Sequence, residues 1–316
     1  MKPRRTRVRG LLVTGLPVST MDKQAVREAV WDAFEAGDQA RFPFPSRDRI
    51  PNFAGADAAC ERLTDTDAWA AASTLKCNPD APQLPVRRAA LRDGKTVYVA
   101  QPRLRDADPF LRLDPEAIEA DDDADIDDAT TVSGISTHGT PVAPEDVPHV
   151  DLVVAGSVGV TTDGTRIGKG EGYSDLEWGV LSELGAVDRE AQSASSGEGQ
   201  RPSGNRASPG DSRTQSDDSE ALRASSRTQS DDHATVVATT VHELSVLDGP
   251  ESPIADPGEL PGPDAHDVPL DLVVTPERTI RTETPYARPE GIDWDALDDE
   301  TLDEIPVLAE RAPEGR

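Results

Sequence analysis

Asp-Leu-Val-Val occurs twice, at 151–154 and 271–274, each time within a run of small apolar residues that shows no polar alternation. A strand with one wet face alternates apolar and polar side chains, whereas a strand covered on both faces does not. The two copies therefore specify two similar buried strands of one sheet. The first run, "VDLVVAGSVGV" over 150–160, reads as one continuous strand. Further strands are expected at "TVYVA" (96–100) and "ATVVATTV" (234–241). Helical spacings lie between them. "MDKQAVREAVWDAFEAG" places Ala25, Ala29, Val30, Ala33 and Phe34 on one face and closes on Gly37. "GADAACERL" predicts a helix near 55–63 and "DTDAWAAASTL" another. A further helix is expected through Arg92, with a turn at Asp93-Gly94, and "YSDLEWGVLSELG" predicts one ended by Gly185. Strands alternating with helices give an α/β fold, a mostly parallel sheet covered on both faces.

Three segments fall outside that pattern. Residues 1–20 carry Lys2, Arg4, Arg5, Arg7 and Arg9 and no acid, and read as a basic leader, with Met21 a plausible alternative start. Residues 187–234 are rich in serine and repeat "SRTQSDD" at 212 and 226. Such a composition buries too little apolar area to offset its ordering entropy, so a disordered insertion is expected. The tail, 290–316, reads as one short acidic amphipathic helix. What remains, 21–186 with 235–289, is expected to form a single α/β domain.

The 316 residues carry a formal charge of -28, and only five of the 32 basic residues are lysines: Lys2, Lys23, Lys76, Lys95 and Lys169. Acid spread along the whole chain argues against nucleic acid or an anionic membrane as ligand. With so few lysines it suits a cytoplasmic protein of a salt-loving organism, where the Debye length falls to about 3 Å at 1 M salt. Two cysteines, Cys60 and Cys77, without a CxxC pair, indicate neither a disulfide framework nor a zinc ribbon. No apolar run reaches membrane-spanning length. A monomer or small homo-oligomer is expected.

The chemistry concentrates in "DGTRIGKGEGYSDLEW", residues 163–178. Glycines at 168, 170 and 172 suit neither strand nor helix, so something must approach that backbone closely. The stretch sits between a strand and a helix, where open α/β sheets bind ligands. Glycines there let N–H groups reach phosphate oxygens, with Arg166 and Lys169 adding charge. Asp175, at the start of the helix, is placed to hold magnesium or to cap that helix. The pattern is neither GxxxxGK[ST] nor GxGxxG, and a glycine hairpin without a ligand stays open. Elsewhere, "HELSV" at His242 lacks the second histidine of a zincin. His266-Asp267 suits either an acid–base pair or a local structural contact. "DDDADIDD" (121–128) reads as a solvated loop, since it lacks the glycine and terminal glutamate of a calcium loop.

The same stretch resembles the signature of the 5-formyltetrahydrofolate cyclo-ligase family, Gly-x-Arg-Leu-Gly-x-Gly-x-Gly-Tyr-Tyr-Asp. It matches at Gly164, Arg166, Gly168, Gly170, Gly172, Tyr173 and Asp175. "RIPNFAGADAACERL", "NPDAPQLPVRRAAL", "PRLR", "VHELSVLD" and "HDVPLDLVVTPER" extend the likeness, most closely to the methenyltetrahydrofolate synthetase domain-containing subgroup. The resemblance implies a three-layer αβα sandwich akin to the NagB/RpiA/CoA-transferase fold. It also implies ATP-dependent closure of 5-formyltetrahydrofolate to 5,10-methenyltetrahydrofolate, with ATP and magnesium as cofactors. Lys23 and Arg27, one turn apart on the first helix, would then face the ATP phosphates, as would Gly164, Gly168, Gly170, Glu171 and Gly172. Arg166 and Lys169 would grip phosphates, Tyr173 would line the cleft and Asp175 would stand near magnesium. The family's folate-side Glu-x-x-Thr falls on Asp80 and Gln83, with Lys76 nearby to supply charge. Ser174 and Leu176 depart from the signature, where the family has tyrosine and a basic residue. A nucleotide- or pterin-binding protein without turnover is the alternative the same residues allow.

Overall fold

The structure, a computed structural model, describes residues 21–121, 124–188 and 234–313. The basic leader and nearly all of the serine-rich insertion lie outside the described residues. Helix α1 (Lys23–Ala36) starts where the Asp22 carboxylate accepts the Ala25 N–H at 2.7 Å, then buries Val26, Val30, Trp31 and Phe34. Next come α2 (Ala56–Thr64), α3 (Asp67–Ala71), β1 (Thr74–Cys77), α4 (Leu84–Arg92), β2 (Thr96–Ala100) and β3 (Phe110–Leu113). Three short helices, α5 (Pro115–Glu119), α6 (Ile126–Ala129) and α7 (Val132–His138), lead to β4 (Thr140–Val142) and β5 (Leu152–Val154). A hairpin, β6 (Gly159–Val160) and β7 (Arg166–Ile167), precedes α8 (Tyr173–Glu183). The chain closes with β8 (Val236–Thr240), β9 (Leu272–Val274), β10 (Thr279–Arg281), α9 (Asp299–Glu304) and α10 (Pro306–Ala309).

Eight strands form one sheet in the order β10-β9-β8-β5-β1-β2-β3-β4. The five from β9 to β2 are parallel, and antiparallel strands close both edges. The two Asp-Leu-Val-Val copies are β5 and β9, on either side of β8. Each aspartate serves the neighbouring strand. Asp151 accepts the N–H groups of Ser73 and Thr74 at 2.8 and 2.9 Å, and Asp271 accepts that of Val237 at 2.7 Å. Successive residues of a strand point to opposite faces. Leu152 and Val154 accordingly join Leu63, Val86 and Leu91 on one face, while Val153 joins Trp178, Val180 and Leu181 on the other. Helices thus cover both faces of a mostly parallel sheet. A third cluster packs α1 against the β6–β7 side through Val158, Ile167 and Leu247. Among the described residues no helix is long and apolar enough to cross a membrane.

Three expectations are corrected. The run at 150–160 is not one strand, because β5 stops at Val154 and the chain resumes as β6 in a separate hairpin. At the break, the Gly156 N–H goes to Asn78 Oδ1 at 3.0 Å and its carbonyl accepts from Arg166 at 3.0 Å. Side chains satisfy the backbone that a neighbouring strand would otherwise bind. The tail is not one helix but a turn at Trp294–Ala296 followed by α9 and α10, the last opening at Pro306 and burying Val307 and Leu308. The acidic run is partly helical: Asp125 caps α6 by accepting the Asp128 N–H at 2.9 Å. Asp127 in that helix pairs with Arg88 and Arg92.

Candidate functional site

A cavity of about 380 Å³ opens beyond the carboxyl ends of β1, β2 and β5. That is the location a parallel sheet with crossover helices favours for ligands. Two walls of different chemistry face each other across it.

The first wall is the glycine loop, backed by α1. Arg166 is fully buried on β7, where its guanidinium pairs with Asp175 and donates to the Gly156 carbonyl at 3.0 Å. Burial works against its charge, but Asp175, and further off Asp267, outweigh it and hold the group above the usual arginine range. Arg27 reaches across from α1, its Nε donating to the Gly168 carbonyl at 2.8 Å. Burial lowers the Arg27 pKa against the pull of Asp267 and Asp22.

These two arginines explain the alternate glycines. A methyl at Gly168 would stand 3.0 Å from Arg166 Nη1, and one at Gly170 would stand 3.2 Å from Arg27 Cζ. Gly172 meets nothing, but its φ of 73° is left-handed and turns the chain into α8. The close approach at 168 and 170 is therefore made first by the protein's own guanidinium groups.

Lys169, only partly covered, pairs with Glu171 at 2.7 Å. Lys23 pairs with Asp264 at 2.7 Å and also with Asp267. Ligand atoms of Asp264, His266 and Asp267 lie within 4.8 Å of one another, and Lys23 already supplies a cation to two of the three. His266-Asp267 is thus part of the cavity edge. Asp175 does not cap its own helix; one oxygen takes Arg166 and, at 3.4 Å, the Val268 N–H. Its other oxygen has no hydrogen-bond partner among the described residues. A carboxylate with one open oxygen on a phosphate-sized loop fits magnesium, which takes one or two protein carboxylates and fills its shell with phosphate and water.

The second wall follows β1. Asn78, Pro79 and Asp80 line it. The Asp80 carboxylate makes no hydrogen bond among the described residues and lies close to Gly156, a methyl there standing 3.2 Å from its Oδ2. Burial pushes the Asp80 carboxyl above its usual range, against the pull of Lys169, Arg87 and Lys76. Arg87, with its pKa lowered by burial to about 10, binds the carbonyls of Asn78 and Asp80 at 2.6 and 3.1 Å and so shapes this turn.

The structure brings most of the expected residues to one cavity: Lys23, Arg27, Asp80, Arg166, Gly168, Lys169, Gly170, Glu171, Gly172, Tyr173 and Asp175 all line it. Three stand apart. Gly164 forms the hairpin turn against the Leu270 carbonyl. Gln83 is buried and turns its Oε1 back to the Asn78 N–H at 2.8 Å. Lys76 is buried beneath the wall and pairs with Glu177.

Glu177, Asn78 and Arg103 line the cavity and were not singled out beforehand. A glutamate inside a helical pattern carries no signal of burial, and its partner lies far off in sequence. Glu243, in the discarded zinc-like motif, is structural: it pairs with Arg278 and accepts the Thr275 hydroxyl at 2.6 Å. Cys60 and Cys77 are buried thiols, their pKa values pushed up by burial to about 12 and about 11.

The chain resembles known proteins along most of its length. Residues 20–195 match the model of the 5-formyltetrahydrofolate cyclo-ligase family. A methenyltetrahydrofolate synthase domain-containing protein of Bos taurus is 34% identical over 292 residues, covering 92% of this chain and 62% of that one. Its Mus musculus counterpart is 34% identical over 288 residues, covering 91% and 62%. This chain therefore spans about three-fifths of the length of the curated relatives it matches. The solved 5,10-methenyltetrahydrofolate synthetase of Aquifex aeolicus aligns over 84% of this chain and 95% of its own at 13% identity, with a TM-score of 0.41, too loose a likeness to bear weight. On the match to its model, which takes in more than half the residues and the whole glycine loop, the chain belongs to the 5-formyltetrahydrofolate cyclo-ligase family.

Proposed function

We propose that the chain closes 5-formyltetrahydrofolate to 5,10-methenyltetrahydrofolate at the expense of ATP, which leaves as ADP and phosphate. The observation that supports this reading is the two-walled cavity: a cationic glycine loop faces an acidic, polar turn at the ends of parallel strands. The γ-phosphoryl group passes to the formyl oxygen and ADP departs. N10 then attacks the activated formyl carbon and loses its proton, and the C–O bond breaks to free phosphate.

Positioning and charge neutralisation dominate such a transfer. Lys169 and Arg27, with the N–H groups of 168–172, would hold the phosphates. Arg166 keeps the loop in shape from below. Asp175 would hold magnesium through its open oxygen, and the ion neutralises phosphate charge when bound. Asp80, within the field of Lys169 and lacking a hydrogen-bond partner among the described residues, would receive N–H groups of the pterin.

The test is the near-ultraviolet absorbance of the methenyl product, followed with ATP, magnesium and 5-formyltetrahydrofolate in concentrated potassium chloride. Growth that requires ATP and is lost in Lys169→Ala supports the reading. Saturable ATP binding without ADP release would overturn it in favour of a nucleotide-binding protein that lacks turnover.

A further inference from the structure

The turn that follows β2 holds two successive non-glycine residues in the left-handed region, Arg103 at φ 63° and Leu104 at φ 49°. Each such residue costs roughly 1 kcal/mol or more and persists only where its surroundings dictate it. Leu104 supplies the anchor, since it is wholly buried in the core. With Leu104 fixed, the turn sets Arg103 on the cavity rim, exposed to solvent.

Arg103 has no hydrogen-bond or ion-pair partner among the described residues, although acids outnumber bases 60 to 32 in this chain. The other cations of the lining are engaged: Lys23 by Asp264 and Asp267, Arg27 by the Gly168 carbonyl, Arg166 by Asp175, Lys169 by Glu171. Its neighbour Arg105 reaches Glu304 at 3.9 Å. In so acidic a protein, a rim arginine left without an acid is available to an anion from outside.

The sheet order says which anion. From β5, whose end meets Arg166, the order runs through β1 to β2. Neighbouring strands stand about 4.8 Å apart, so the turn after β2 begins roughly 10 Å from the end of β5. A phosphate chain on the glycine loop and an anion on Arg103 are thus held at separate stations, with Asn78 and Asp80 between them. A ligand whose N–H-rich ring lies against Asp80 would carry its own acidic end outward to Arg103. Guanidinium forks match carboxylates in a bidentate pair.

We propose that Arg103 determines substrate specificity by pairing with a carboxylate of the glutamate tail of a reduced folate; this rests on the folate reading above. The pair forms at the mouth of the cavity, away from the reacting atoms. It therefore adds binding equally to ground state and transition state, and is felt in KM rather than in kcat.

The experiment compares 5-formyltetrahydrofolate with the methylamide of 5-formyltetrahydropteroate, which keeps the benzoyl amide but has neither the glutamate nor any other carboxylate, at saturating ATP and fixed salt. Arg103→Ala is expected to raise KM for the glutamate-bearing substrate on the order of tenfold, as loss of a charged hydrogen bond would. The kcat, the KM for ATP and the KM for the methylamide should hold. Arg103→Lys should recover part of the loss, and Arg103→Gln guards against a misfolded alanine variant. An equal rise for both compounds, a rise for ATP instead, or no change would each overturn the proposal. If the wild type turns over neither compound, the folate reading has failed, and calorimetric titration of the same pair decides the role of Arg103. A preference for the glutamate-bearing compound that disappears in Arg103→Ala supports it; no preference in the wild type overturns it.

Discussion

Helix α8 carries two carboxylates two residues apart, Asp175 partly buried and Glu177 buried, each with its own cation, and they do different work. Asp175 turns to Arg166 on the β6–β7 hairpin; Glu177 turns to Lys76 on β1. Side-chain exposures of 2% and 13% for the first pair, and 3% and 7% for the second, make both pairs interior. The Arg166 pair is wired to the Gly156 carbonyl and the Val268 N–H, and its guanidinium packs beneath Gly168. The Lys76 pair is wired to the β1 wall, its one further hydrogen bond among the described residues being from Asn78 Nδ2 to Glu177 at 3.4 Å. A buried ion pair often adds little net stability over apolar side chains of similar volume, because desolvation consumes most of the Coulomb gain. What it does supply is a fixed arrangement. Here one pair fixes the loop wall and the other fixes α8 against the β1 wall, so the helix sets the distance between them.

The largest effect should follow from breaking the Arg166 pair. Arg166→Ala leaves Asp175 and the Gly156 carbonyl without their main partner and opens a void beneath Gly168. A loss of about 3–5 kcal/mol in denaturant unfolding is expected, together with loss of turnover. Read from its motif alone, Arg166 looks like a phosphate ligand; its burial and its pair with Asp175 add a structural role beneath the loop. Unchanged stability in Arg166→Ala would mean that the loop does not depend on the pair.

Lys76→Met comes next, and it separates the two pairs. Glu177 would be left charged in the interior, again for about 3–5 kcal/mol. The double variant Lys76→Met with Glu177→Leu removes both charges and should recover most of that loss. Failure to recover would show that Glu177 faces the cavity for a purpose beyond packing. Lys169→Ala should behave in the opposite way. Its pair with Glu171 is largely solvated and worth about 0–1 kcal/mol, so the melting temperature should move little beyond what the coupling of Lys169 to Asp80 contributes. Turnover should fall on the order of a hundredfold to a thousandfold, as for loss of one preorganised charge at a transition state.

How much of this was legible in the sequence divides along the same line. The loop wall could be read because its residues are consecutive: the glycine spacing, Arg166, Lys169 and Asp175 fall within one strand–loop–helix unit. The twin Asp-Leu-Val-Val runs likewise reported their own burial through the absence of polar alternation. The opposite wall could not be read, because its logic is tertiary. Glu177 looks like any helix acid until β1 places Lys76 beside it. Gln83 looked like a ligand contact until its amide turned back to Asn78. The break at Gly156 was hidden because apolar, small residues continue through it while its hydrogen bonds go to Asn78 and Arg166, distant in sequence. The tail misled for a related reason: its acidic pattern suits a helix, but Pro306 ends one turn and starts another.

The subtlest way to probe the two walls is through pH, because Asp80 on one is tuned by Lys169 on the other. Burial raises the Asp80 carboxyl above its usual range, and Lys169 is the leading charge pulling it back. An acid whose pKa is higher folded than unfolded binds its proton more tightly in the folded state. Stability then falls as pH rises from the unfolded value, about 3.9 for aspartate, through the raised folded one. Asp80→Asn removes that slope, so its stability relative to wild type should grow across the same window and level off above it. Lys169→Ala removes the opposing charge, so the wild-type slope should extend to higher pH. The two substitutions combined should show the Asp80→Asn profile alone, since an amide has no proton for Lys169 to influence. Parallel profiles for wild type and Asp80→Asn would show that the carboxylate is solvated, and the β1 wall would then be open to water where the structure closes it.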